Sequence, residues 1–119
     1  MKSMLVIESC EIVAGLFTEI FKKQGWAVDT CGDRDGAISL LTRSNPYDAI
    51  LLSYRVPGTD GVQLIRLIRT LEPRRMIAVV MVTGTGGISE EALAAGANEV
   101  LLKPIEPARL VSVVDKHLL

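Results

Sequence analysis

The stretch from Ile77 to Val82, IAVVMV, is apolar at every position. A strand with one wet face alternates apolar and polar residues, so a run without a polar position reads as buried on both faces. Burial of that kind requires helices above and below the sheet, and such layers come from parallel strands joined by helical crossovers. A chain of 119 residues suits one such domain.

The rest of the sequence supplies the other units. Met4 to Ile7 reads as the first strand, followed by a helix over Glu11 to Gln24. Ile12, Leu16 and Ile20, with Val13, Phe17 and Phe21, form its expected apolar stripe, and Gly25 stops it. Trp26 to Thr30 is the second strand, with Trp26 expected at a partly exposed edge. Asp33 or Asp35 caps the next helix, which carries Ala37, Ile38, Leu40 and Leu41 and ends at Asn45-Pro46. Asp48 to Leu52 is strand three. A helix over Val62 to Leu71 shows Leu64, Ile65, Ile68 and Leu71 on one side, with Asp60 as its cap, and Pro73 closes it.

After the Ile77–Val82 strand, Ser89 is positioned to cap a short helix, Glu90 to Ala95, ended by Gly96. Glu99 to Leu102 is strand five. Glu106 to Leu118 is the last helix, using Leu110, Val113, Val114 and Leu118. Five strand–helix units in succession specify an α/β fold with right-handed crossovers and helices on both faces.

In open sheets of this type the reactive groups lie beyond the carboxyl ends of the strands. The residues there are Glu8, Ser9 and Cys10, then Cys31, Ser53, Thr83 and Lys103. Composition narrows what they serve. Hydrophobic residues at 49% and charged residues at 23% belong to a folded domain. A net charge of −1 with interspersed signs lacks the basic footprint of a nucleic-acid binder. The apolar runs are far too short to span a bilayer, so no membrane association and a cytoplasmic location are expected. Cys10 and Cys31 lack metal-ligand spacing and read as free thiols, with a reversible disulfide the less favoured alternative. Thr83 to Gly87, TGTGG, matches neither a P-loop nor the dinucleotide fingerprint, and reads as a glycine-rich loop rather than an anion cradle. Few aromatics, 4%, disfavour a flavin site.

The segments LVIES, LLSYRVPGTDG, MVTG and ALAAGANEVLLKP, with KQGWAVDTCGDRDGAISLL between the first two helices, resemble the receiver domains of two-component response regulators. The resemblance covers essentially the whole chain, as a single domain over residues 1–119. It implies the flavodoxin-like (βα)5 fold, a five-stranded parallel sheet in the order 2-1-3-4-5. It also implies a role in phosphorelay signal transduction rather than enzymatic catalysis. Family members carry two acids after strand one that hold Mg²⁺, an aspartate phosphoacceptor after strand three, a switch Thr or Ser, and a Lys before a proline. Glu8 and Ser9 stand at the acid pair, Ser53 at the phosphoacceptor, Thr83 and Lys103 at the two phosphoryl contacts. Val100 falls where the family has a switching aromatic, and Lys103-Pro104 is the implied cis peptide.

Two of the matched carboxylates are therefore serines. A carboxylate, with a reference pKa of about 3.9, is anionic at neutral pH, whereas a serine hydroxyl needs a base. His117, the one histidine, falls near the end of the last helix, remote from this constellation. No metal is expected, with Glu8 a weak candidate for Mg²⁺, and Lys103 is expected to pair with Glu8 instead. The expectation is a degenerate receiver acting through protein contact. The family's partner or dimer face, roughly Ser89 to Leu119, carries Val100, Glu106, Arg109 and Lys116, and other domains of a larger regulator or kinase are further partners. The alternative is a phosphoacceptor or anion-responsive receiver in which Ser53 replaces an aspartate, by nature or by engineering.

Overall fold

A computed structural model describes residues 1–43, 47–71 and 77–118. The strands of the main sheet are β1 (Ser3–Ile7), β2 (Ala27–Cys31), β3 (Ala49–Leu52), β4 (Ala78–Thr83) and β5 (Glu99–Leu102). Between and after them run α1 (Glu11–Lys23), α2 (Arg34–Leu41), α3 (Gly61–Leu71), α4 (Ser89–Ala95) and α5 (Pro107–Lys116). The five strands are parallel, in the order β2-β1-β3-β4-β5. A two-stranded hairpin, Arg55–Val56 against Thr59–Asp60, interrupts the path from β3 to α3.

Side chains of successive strand residues point to opposite faces, and this divides the core in two. Leu5, Ile7, Ile50, Leu52, Val79 and Met81 pack against α2, α3 and α4. Met4, Val6, Ala49, Leu51, Val80 and Val82 pack against α1 and α5 through Phe17, Phe21, Leu110 and Val114. All six residues of β4 are buried, as the unbroken apolar run requires.

Local chemistry fixes several element ends. Asp33 accepts a hydrogen bond from the Gly36 N–H at 2.7 Å, and Asp60 accepts one from the Gln63 N–H at 2.9 Å, so each caps the helix that follows. Gly25, at φ +86°, ends α1 in the left-handed region where a side chain is unfavourable. The expected stops at Asn45-Pro46 and Pro73 lie outside the described residues.

Three expectations are corrected. Ile12 and Leu16 are 76% and 55% exposed, and the buried line of α1 runs through Ala14, Phe17 and Phe21. A helix turns about 100° per residue, so Ile12 and Leu16 lie beyond the edge of the face that Phe17 and Phe21 bury, while Ile20 still packs against that core. Trp26 precedes β2 and is buried, with its ring edge-on to Phe21 at 5.7 Å and the Lys2 ammonium 5.8 Å from its centroid. An indole at a turn is large enough to fold back over the end of the core. Ser89 is the first residue of α4 and not its cap: Ile88 occupies the cap position, without a side-chain hydrogen bond.

Candidate functional site

Parallel strands with right-handed crossovers place all five strand–helix loops at one edge of the sheet, and the central strands β1, β3 and β4 end side by side there. A cleft of about 380 Å³ opens at this edge, lined by Glu8, Ser9, Cys10, Ser53, Tyr54, Arg55, Thr83, Gly84, Thr85 and Lys103. The residues that the sequence places at the ends of strands one, three, four and five thus come together. Cys31 does not join them.

Glu8 follows β1 and is buried. Its main chain extends the sheet, with its N–H donating to the Cys31 carbonyl at 2.9 Å. Both carboxylate oxygens are engaged. Oε1 accepts from the Lys103 Nζ at 3.4 Å, and Oε2 accepts from the Cys10 N–H at 3.1 Å, at the start of α1. The Lys103 side chain is 35% exposed against 6% for Glu8, so the lysine reaches in from the rim to a carboxylate that is already enclosed.

Ser53 follows β3, its N–H donating to the Ile7 carbonyl at 3.2 Å. The residue is buried, and its hydroxyl donates to the Arg55 carbonyl at 3.2 Å. The hydroxyl is therefore turned toward its own loop. Gly61 holds that loop close to α3: its N–H donates to the Tyr54 carbonyl at 2.6 Å, and a Cβ there would lie 2.5 Å from the Ser53 carbonyl oxygen.

Thr83, the last residue of β4, is buried, and its Oγ1 accepts from the Thr85 N–H at 3.0 Å, which folds the glycine-rich loop back at its start. The Lys103 N–H donates to the Thr83 carbonyl at 2.8 Å, and the Lys103-Pro104 peptide is cis. Val100 is half-buried and packs toward the α3 and α4 side of the core. His117 lies away from the cleft, 2.9 Å from Glu99 Oε1, with the Lys116 ammonium 3.9 Å from the same oxygen.

Both cysteines are free thiols. Cys10 occupies the position before α1 at the cleft mouth, whereas Cys31 packs with α2 on the other face. Burial and the nearby Asp33 carboxylate push the Cys31 thiol up to about 11 from its ordinary 9.0. Sequence reasoning missed the Cys10 N–H and the Arg55 carbonyl, the partners that orient Glu8 and Ser53. Both are main-chain groups, present at almost every position, so no residue type announces them.

Among the described residues, no group of three or more His, Cys, Asp or Glu side chains is arranged to hold a metal, and no helix is long and apolar enough to cross a membrane.

Comparison with known proteins agrees with this architecture. The chain is 31% identical over 120 residues to the nitrogen assimilation regulatory protein NtrX of Azorhizobium caulinodans, a match covering 97% of the chain and 26% of that protein. It is 30% identical over 113 residues to the phosphate regulon transcriptional regulatory protein PhoB of Klebsiella pneumoniae, covering 93% of the chain and 49% of that protein. The chain thus spans half or less of these relatives. The crystal structure of a two-component response regulator from Clostridium difficile shares the fold at a TM-score of 0.91, with 23% identity over 98% of this chain and 95% of that one. The family model described as the response regulator receiver domain matches residues 4–115. Sheet order, the site at the strand ends and a family match over nearly the whole chain lead to one conclusion: this chain belongs to the response regulator receiver domains.

Proposed function

We propose that this receiver domain works as a protein-interaction module in two-component signalling without itself carrying a phosphoryl group. The observation that carries this reading is the state of Glu8, the one carboxylate among the residues lining the cleft, with both oxygens already bonded to Lys103 and Cys10.

The chemistry follows from that arrangement. Ser53 stands where the family resemblance puts the phosphoacceptor aspartate. An aspartate would be anionic and ready to attack phosphorus, whereas a hydroxyl must lose a proton as it attacks. Among the described residues lining the cleft Glu8 is the one carboxylate that could take that proton, and the hydroxyl donates to the Arg55 carbonyl instead. Mg²⁺ is held by oxygen donors, with carboxylates and phosphate oxygens supplying the charge. Here Ser9 and Ser53 offer neutral hydroxyls, and Glu8 is neutralised by Lys103. This donor set does not fit the ion, and no step is assigned to it.

The output surface is the face made by α4, β5 and α5. It presents Leu93 and Leu102, 49% and 54% exposed, and its exposed charged residues include Glu106, Arg109 and Lys116. A face with both exposed apolar and charged residues suits a protein partner, a second copy of the chain or an adjoining domain of a larger regulator.

Incubation with acetyl phosphate and Mg²⁺, followed by intact mass measurement, tests the reading. The unmodified chain is expected to gain no phosphoryl group. A stable adduct mapped to Ser53 would overturn the proposal and favour a receiver with a serine acceptor.

A further inference from the structure

β2 is the outermost strand of the sheet on one side. The Ala27 N–H donates to the Lys2 carbonyl and the Cys31 carbonyl accepts from the Glu8 N–H, so the main chains of Ala27 and Cys31 face β1. Main-chain groups alternate in direction along a strand, which turns the N–H and C=O of Val28 and Thr30 toward the open edge. An edge of this kind is a template for a further strand.

Beside the edge, α1 forms one wall of an open groove of about 1070 Å³, with Val28 and Thr30 on the strand side. Glu11, Gly15, Thr18 and Lys22 line that wall. Their spacings of four, three and four put them in one line along the helix. Gly15 lies inside α1, where glycine is the poorest helix former apart from proline. Nothing stands within 4 Å of where its Cβ would be, so the packing of this chain does not itself require a glycine there. Glu19 and Lys23, on the same wall, approach each other at 4.0 Å. Glu11 stands at the cleft end of the groove and Lys22 at the far end, so the two ends carry opposite charge.

This arrangement is self-complementary. A half-turn about the point midway between Gly15 and Thr18 exchanges those two residues, and it also exchanges Glu11 with Lys22. A half-turn about Asp29 exchanges Val28 with Thr30. We propose that the groove takes a second copy of this chain, related by a two-fold axis through Asp29 and between Gly15 and Thr18. β2 then pairs antiparallel with β2 of the copy, Val28 opposite Thr30 in both directions. The two α1 helices lie antiparallel on one face of the joined sheet, with Gly15 against Thr18 and Glu11 of each copy against Lys22 of the other. Small side chains at the crossing allow the helices a short interaxial distance. The interface is isologous, and it shares no residue with the α4–β5–α5 face.

Asp29 tunes the contact. Its side chain lies on the other face of the sheet, where the Tyr47 hydroxyl donates to it at 2.7 Å. On the axis it meets its counterpart, and like charges directly opposite weaken a strand pair. The dimer is therefore weak and reversible.

Sedimentation velocity over a range of concentrations tests the interface, and a monomer–dimer equilibrium is expected for the unmodified chain. Asp29→Asn, which still accepts from Tyr47, should tighten it roughly two- to fivefold. Gly15→Leu fits the open space, so it should keep the native circular dichroism and abolish the dimer. Lys22→Glu should weaken the dimer roughly fivefold, and adding Glu11→Lys should restore it. Leu93→Glu, on the other surface, should leave it unchanged. A dimer that survives Gly15→Leu, or one that is lost on Leu93→Glu, would overturn the proposal. A monomer at every concentration in both the unmodified chain and Asp29→Asn would overturn it too. If Gly15→Leu does not fold, the charge reversal and its rescue decide.

Discussion

Glu8 and Lys103 are separated by 95 positions in sequence and meet at 3.4 Å because β1 and β5 both end at the same edge of the sheet. Their pairing changes the character of the cleft. Where several carboxylates would repel one another and draw in a cation, one carboxylate is satisfied by one ammonium and one main-chain N–H. Breaking such a pair leaves the enclosed carboxylate without its counter-charge, so the resting state favours the bonded arrangement. The thiols show how position separates two chemically identical residues. Cys31 has its thiol pushed up to about 11, so its neutral form is favoured by folding. That contribution to stability is fully present below pH 9.0, the ordinary value, and is lost as pH rises through about 11. Iodoacetamide labelling of the native chain at about pH 8.5, where the Cys31 thiol stays neutral, should therefore modify the exposed Cys10 well before Cys31. Peptide mapping checks this, and equal labelling would show that Cys31 is not sheltered by α2.

Among the elements, the strands were more legible than the helix faces. The apolar run at Ile77 to Val82 fixed β4 as a central strand, and its burial on both faces follows from the absence of any polar position. The stripe on α1 was harder to read, because Ile12 and Leu16 have the same chemistry as Phe17 and Phe21. Only the docking angle of the helix decides which line meets the sheet. For a related reason Trp26 is buried where the sequence suggests an exposed edge: a strand edge and a turn that folds onto the core favour the same residue. The positions of the candidate site were readable, since strand ends converge in a parallel sheet, but its bonding was not, because main-chain donors and acceptors leave no mark in residue type. Gly61 belongs to this scale. Its backbone approaches β3 so closely that any side chain would strike the Ser53 carbonyl and the Met81 methyl, at 2.5 and 2.6 Å. Gly61→Ala should cost about 3 kcal/mol through displacement of that loop. Urea denaturation measures it, and an unchanged midpoint would mean that the hairpin after β3 yields freely.

For the molecule as a whole, the receiver fold is kept, and under the function proposed above the chemistry at its strand ends is altered. Two layers of helices hold the sheet through two separate apolar clusters, and among the described residues lining the cleft Tyr54 alone packs against either of them. The fold can therefore persist when the acids after β1 and β3 become serines. Leu93 and Leu102 remain exposed on the α4–β5–α5 face, and under the proposed function the signal is the partner held there. The most direct test of this account is an amide NMR titration with Mg²⁺ and then beryllofluoride, on the unmodified chain and on its Ser9→Asp/Ser53→Asp variant. The unmodified chain should stay unchanged while the variant shifts near Thr83 and Lys103, which would identify an intact scaffold lacking only its carboxylates. Shifts at Glu8, Ser53 and Lys103 in the unmodified chain would contradict it, and would mean that the cleft binds the metal or the anion as it stands.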